Sequence, residues 1–167
     1  MNHTLLMIFA LIFVCCVLYA MISDYSQLRV PNSVSIILIA AFAVFALLGG
    51  AGKVWPHLLV AGLVFALFFA FFAMGWVKAG DVKLLSALML WAGPGQAMRF
   101  TLLFAIFGGI FAAALLALRF ALPYLPILAD LPVTSKISRW ARRGVFPYGI
   151  AIGAAALCIA PSIFAAH

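Results

Sequence analysis

Three carboxylic side chains, Asp24, Asp81 and Asp130, are the whole acidic inventory of this 167-residue chain, which has no Glu. Asp24 follows the first long apolar stretch directly, and Asp81 opens a later one. Asp130 falls in a long connection and reads as a solvated loop residue, while His3, His57 and His167 lie towards chain ends or on the other predicted face. Acid–base chemistry therefore falls to Asp24 and Asp81. Two carboxylates within a few Å resist simultaneous ionisation, so such a pair holds one proton and titrates as a unit. The charged member can draw a proton from water as it attacks an amide carbonyl, and the protonated member can deliver one to the leaving nitrogen. That reaction needs neither a metal, another cofactor, nor a covalent intermediate. Asp81, at a helix start, would also sit at the positive end of the helix dipole.

The elements that must position this pair are membrane helices. Of all residues 69% are hydrophobic and 8% charged, with a mean hydropathy of +1.30. A soluble domain carries roughly a quarter charged residues, so lipid must be the solvent for most of this chain. The apolar runs are continuous rather than alternating, which predicts helices over a barrel. The expected fold is an all-α integral membrane bundle, one domain over 1–167, with six spans at 4–22, 33–49, 56–74, 82–93, 98–122 and 147–166. The first span lacks a basic leading region and a small-residue cleavage site, so it reads as a permanent span. Residues 123–146 form the one long connection, and Lys136, Arg139, Trp140, Arg142 and Arg143 there suit a basic helix on an anionic leaflet. Cys15, Cys16 and Cys158 lie in apolar runs without a CxxC pair, and are expected to be buried small hydrophobes.

The net charge of +7 could suggest nucleic acid in a soluble protein, but here the basic residues separate apolar stretches and report orientation. Odd-numbered connections and their flanks hold Arg29, Lys78, Lys83, Arg119, Lys136, Arg139, Arg142 and Arg143, against Lys53 and Arg99 in the even ones. That bias predicts cytoplasmic odd loops, both termini outside, and Asp24 and Asp81 on one cytoplasmic face. The fourth span, 82–93, would make ~18 Å of helix against a hydrocarbon core of ~30 Å. One of its ends must sink below the membrane surface, and a sunken Asp81 end would form a polar depression.

Taken singly, these residues have ordinary readings. Asp24 could be a flanking acid that pairs with Arg29, and Asp81 the N-cap of a helix. Lys83 and Arg119 could snorkel, Arg29 could set topology, and Gly149-x-x-x-Gly153 is a common helix-packing pattern.

Two strings change that weighting. One is Asp24-Tyr-Ser-Gln-Leu-Arg29-Val-Pro31-Asn32, leading into the second span; the other is Lys78-Ala-Gly80-Asp81-Val-Lys83-Leu-Leu, leading into the fourth. Together they resemble the paired signatures of type IV prepilin leader peptidases: an Asp followed by an [R/K]-x-P-N turn, then a GxGD-type motif running on as VKLL. The Pro147-Tyr-Gly149-Ile-Ala-Ile opening of the last span is similar too. The resemblance implies a GxGD-type intramembrane aspartic peptidase with Asp24 and Asp81 as the catalytic pair. Pro31 and Asn32 would set the angle of re-entry into the membrane, and Gly80 a tight turn near the substrate backbone. Arg29, Lys78 and Lys83 would hold loops or meet acidic substrate groups. Its implied partners are the bilayer and a prepilin or pseudopilin helix, not nucleic acid, and a homo-oligomer is compatible with it. The bacterial cytoplasmic membrane is the implied location.

Two departures from the pattern stand out. Lys78 replaces the first glycine of GxGD, and a positive φ there would strain a lysine. No cytoplasmic segment with paired CxxC motifs, associated with N-methylation, is present. The chain thus resembles the short, peptidase-only form linked to Flp/Tad pili, the CpaA/TadV group. Two other classes stay open: a small proton or cation relay, which expects polar residues strung through several spans, and a pilus-assembly subunit that kept the fold without activity.

Overall fold

The computed structural model describes residues 2–121, 140 and 147–165. Within them the chain is all helical: α1 (His3–Gln27), α2 (Asn32–Leu47), α3 (Val54–Ala73), α4 (Ala79–Ala121) and α5 (Tyr148–Phe164). Three of these, α1, α3 and α4, are long and apolar enough to cross a membrane, while α2 and α5 are shorter apolar helices. The expectation of six separate spans is therefore corrected to five helices, because the fourth and fifth expected spans are two arms of α4. Apart from Trp140, the basic connection 123–146, with Asp130, lies outside the described residues.

The Gly93-Pro94-Gly95 string reads as a loop, yet helix resumes at once. Gly93 alone leaves helical geometry (φ 55, ψ −172), a region open essentially only to glycine. Pro94 then opens the second arm, where its missing N–H costs little. A straight helix of 43 residues would run about 65 Å, twice a bilayer core. Instead the arms fold back, so that Leu85 of the first and Phe104 of the second wall one cavity. Pro94 has no N–H to give the carbonyl four residues earlier, that of Leu90. His57 of α3 takes that place, with Nδ1 2.7 Å from the Leu90 carbonyl oxygen. Since a carbonyl only accepts, Nδ1 carries the proton.

Trp91, just before the break, centres the core. Its ring lies 5.3–6.4 Å from those of Phe9, Phe13, Phe42, Phe45 and Phe164, and its Nε1–H donates to the Leu38 carbonyl at 3.0 Å. This cluster ties α1, α2, α4 and α5 together at the end of the bundle away from the aspartates. Outward faces stay apolar: Leu63, Leu67 and Phe69 of α3 are all exposed, as lipid contact requires. Cys15 and Cys158 belong to that outer surface and Cys16 is half-covered, so the expected burial of all three is corrected. They sit on outward helix stripes, where hydropathy does not separate lipid-facing from core-facing positions.

Helix ends also differ from the apolar boundaries. α1 runs on past residue 22 through Ser23–Gln27, and α4 begins at Ala79 rather than 82. Hydropathy locates lipid, whereas backbone hydrogen bonding locates helix. In consequence Asp24 and Asp81 are both helical residues and not loop residues.

Candidate active site

α1 ends at Leu28, which takes the left-handed conformation (φ 55) and returns its N–H to the Asp24 carbonyl at 2.9 Å. Pro31 precedes α2 in extended geometry and Asn32 begins it. This short turn brings Val30 back over the start of α4. Gly80 lies beneath it: a Cβ there would stand 3.0 Å from the Val30 carbonyl oxygen. Gly80 is not among the positive-φ glycines, so its smallness serves this close approach and not a tight turn. The helix dipole of α4 starts at that contact, with Asp81 in its first turn.

Both aspartates are buried, Asp24 at 0% and Asp81 at 2% exposure. Asp24 Oδ2 accepts a 2.8 Å hydrogen bond from the backbone N–H of Gly149 at the start of α5. Asp81 accepts from the backbone N–H of Lys78, the reach-back of a capping box. Asp81 lies within electrostatic range of both Asp24 and Lys78. One oxygen of each, Asp24 Oδ1 and Asp81 Oδ2, is buried without a hydrogen-bond partner among the described residues. Leaving such groups bare costs several kcal/mol, about 1–3 for a neutral group and more for a charge.

The supporting residues fall out unevenly. Lys78 Nζ donates to the Leu28 carbonyl at 3.0 Å and stands 3.9 Å from Asp24 Oδ1, so the cation beside Asp24 is Lys78 and not Arg29. Lys78 is not left-handed; Leu28 is the one non-glycine residue with positive φ among the described residues. Lysine in place of the motif's first glycine therefore brings no backbone strain. Lys83 donates to Asn32 Oδ1 at 3.1 Å on the exposed rim, linking α4 to α2. Arg29 is exposed, and its carbonyl accepts from Ser23 Oγ at 2.9 Å.

A cavity of about 170 Å³ adjoins Asp81, walled by Phe68 and Phe71 of α3, Trp76, Leu85 and Phe104 of the two α4 arms and their approach, and Tyr148 and Ile152 of α5. Apart from that carboxylate its walls are almost wholly apolar. Tyr25, next to Asp24, meets Trp140 edge to face at 5.4 Å between ring centroids.

Residues 11–118 match the profile of the type IV leader peptidase family, a stretch that takes in Asp24, Asp81 and both turns. The chain belongs to that family. Its members are aspartic-type proteases of the prepilin leader peptidase kind, and the protein is a membrane protease of that general function. Comparison with curated proteins and with solved structures gives no match. The matched stretch stops short of α5, so the peptidase's Gly149 contact is a property of this structure. By sequence, Gly149 reads as a packing glycine and as part of the Pro147-Tyr-Gly149-Ile-Ala-Ile string that resembles the family, and neither reading gives it a contact with Asp24. The signal that could have found it was its place directly after Pro147-Tyr148, at the entry of a span on the face that carries the aspartates.

Proposed function

We propose that this peptidase removes the leader of a Flp-type type IV prepilin at the cytoplasmic face of the bacterial inner membrane, with Asp24 and Asp81 as its catalytic pair. The carrying observation is a pair of buried carboxylates on separate helices, within electrostatic range of one another, each with one oxygen that has no hydrogen-bond partner among the described residues. One carboxylate takes a proton from a water molecule held between Asp24 Oδ1 and Asp81 Oδ2. The resulting hydroxide attacks the scissile carbonyl, and the protonated partner then gives its proton to the leaving nitrogen. The apolar cavity beside Asp81 suits a side chain of the substrate's membrane helix lying against the pair. Cytoplasmic placement and external termini follow from the Lys and Arg bias between loops. The lack of paired CxxC motifs fits a peptidase without N-methylation.

A transmembrane proton relay would need polar groups along the bundle. The buried polar side chains among the described residues are Ser23, Asp24, Ser35 and Asp81, all near one end. Co-expression with a Flp-type prepilin, read by mass spectrometry, tests the proposal. Wild type should process the leader, Asp24→Asn and Asp81→Asn should not, and Asp130→Asn should. Normal processing by either of the first two variants would sink the mechanism.

A further inference from the structure

Lys78 stands where the family pattern has glycine, and no part of the peptidase reaction as described needs it. Yet it touches both halves of the site. Its backbone N–H binds the Asp81 carboxylate, and its carbonyl accepts from the N–H groups of Asp81 and Val82 at 3.1 and 3.2 Å. Its ammonium binds the carbonyl of Leu28, the left-handed residue that ends the Asp24 helix, and stands 3.9 Å from Asp24 Oδ1. Lys78 is thus a strap between the turn after Asp24 and the turn before Asp81, and the strap carries a positive charge.

We infer that Lys78 is a positioning residue of this peptidase, whose ammonium fixes Asp24 as the charged, water-activating member of the pair and leaves Asp81 to carry the proton. The inference rests on the reading of Asp24 and Asp81 as the catalytic pair. One hydrogen-bond donor, the Gly149 N–H on Oδ2, and one cation, the Lys78 ammonium 3.9 Å from Oδ1, face Asp24. Among the described residues, Asp81 is reached by the Lys78 backbone N–H and by no cation within 4.0 Å, and the Lys78 ammonium lies nearer to Asp24. The carboxylate end of this pair is fully buried and only the ammonium end meets solvent, so it is screened less than a pair exposed at both ends. Because the ammonium is half-exposed and tied to Leu28, it can hold this place without itself entering the apolar cavity.

The test uses the full-length protein in detergent with a purified Flp-type prepilin. Lys78→Met keeps the length of the side chain and removes the charge; Lys78→Arg keeps the charge. Lys78→Met should lower kcat at least tenfold while KM moves less than about twofold, and Lys78→Arg should recover most of that loss. Circular dichroism and thermal melting confirm that each variant is folded. Wild-type kcat in folded Lys78→Met would overturn the inference. So would Lys78→Arg as slow as Lys78→Met, which would make the residue a shape-dependent strap alone. Asp24→Asn and Asp81→Asn run alongside: processing by those variants would sink the catalytic pair itself, whereas their silence beside a fully active Lys78→Met would remove only the role given to Lys78.

Discussion

Gly149 gives its backbone N–H to Asp24 Oδ2 at 2.8 Å, and a Cβ at position 149 would stand 2.8 Å from that same oxygen. The donor and the absence of a side chain are one requirement: the helix must come this close for the hydrogen bond to form. Such a Cβ would also lie 2.9 Å from Asp24 Cβ and 3.1 Å from its Cγ, so no small rotation relieves it. Gly149→Ala should therefore displace Asp24. Misplacement of a reacting group by an ångström costs up to about 100-fold in rate. We expect leader processing to fall at least tenfold in protein that still inserts and melts cooperatively, as read by single-turnover cleavage.

Gly80→Ala is a milder version of the same experiment. The nearest atom to its Cβ is the Val30 carbonyl oxygen at 3.0 Å, and the turn over it can retreat by a few tenths of an ångström. Processing should fall several-fold, less than for Gly149→Ala, in the same assay. Equal losses would mean that the Val30 turn is as rigid as the Asp24 side chain.

Gly93→Ala tests the α4 hairpin and not the chemistry. Positive φ with extended ψ costs a side-chain-bearing residue about 1–3 kcal/mol, and the His57 ring occupies the space where the Cβ would go. The melting temperature in detergent should drop by several degrees, with the activity per folded molecule at permissive temperature retained.

His57 should matter to the same hairpin through a hydrogen bond. Removing its donor leaves the Leu90 carbonyl bare inside a protein whose solvent is lipid, a loss of about 1–3 kcal/mol. His57→Phe should destabilise by that amount in a denaturant or thermal titration, and His57→Gln, which keeps an N–H, should recover part of it.

Trp91 separates packing from hydrogen bonding. Trp91→Phe keeps a ring in the aromatic cluster but loses the donor to the Leu38 carbonyl, a change of about 1 kcal/mol. Trp91→Ala also opens a cavity at the centre of the bundle and should cost about 3–5 kcal/mol. A thermal series of the two variants reads the difference.

Asp24, Asp81 and their flanking strings were legible in the sequence because acids are scarce in an apolar chain and expensive in lipid. The helical class was legible for the same reason. What was not legible depends on contacts between distant segments. The place of Gly149 at a span entry on the aspartate face hints at the site but does not give its N–H to Asp24, and nothing near position 57 announces a donor for a carbonyl freed by Pro94. Gly93-Pro94-Gly95 reads as a loop because Gly and Pro break helices, yet proline is also at home in a first helical turn, and here that second property prevails. Lys78 reads as a defect of the motif because φ is invisible in sequence; the left-handed position is Leu28 instead.

The long reach from Asp24 to Gly149 also sets an order in time. A ribosome makes Asp24 first, Asp81 next, and the start of α5 only after both. Until α5 has entered the bilayer, Asp24 Oδ2 lacks its donor and the wall of the cavity formed by Tyr148 and Ile152 is missing. A nascent chain, inserting beside other newly made membrane helices, thus holds both carboxylates before their arrangement is finished, and under the proposed mechanism proteolytic competence waits for α5.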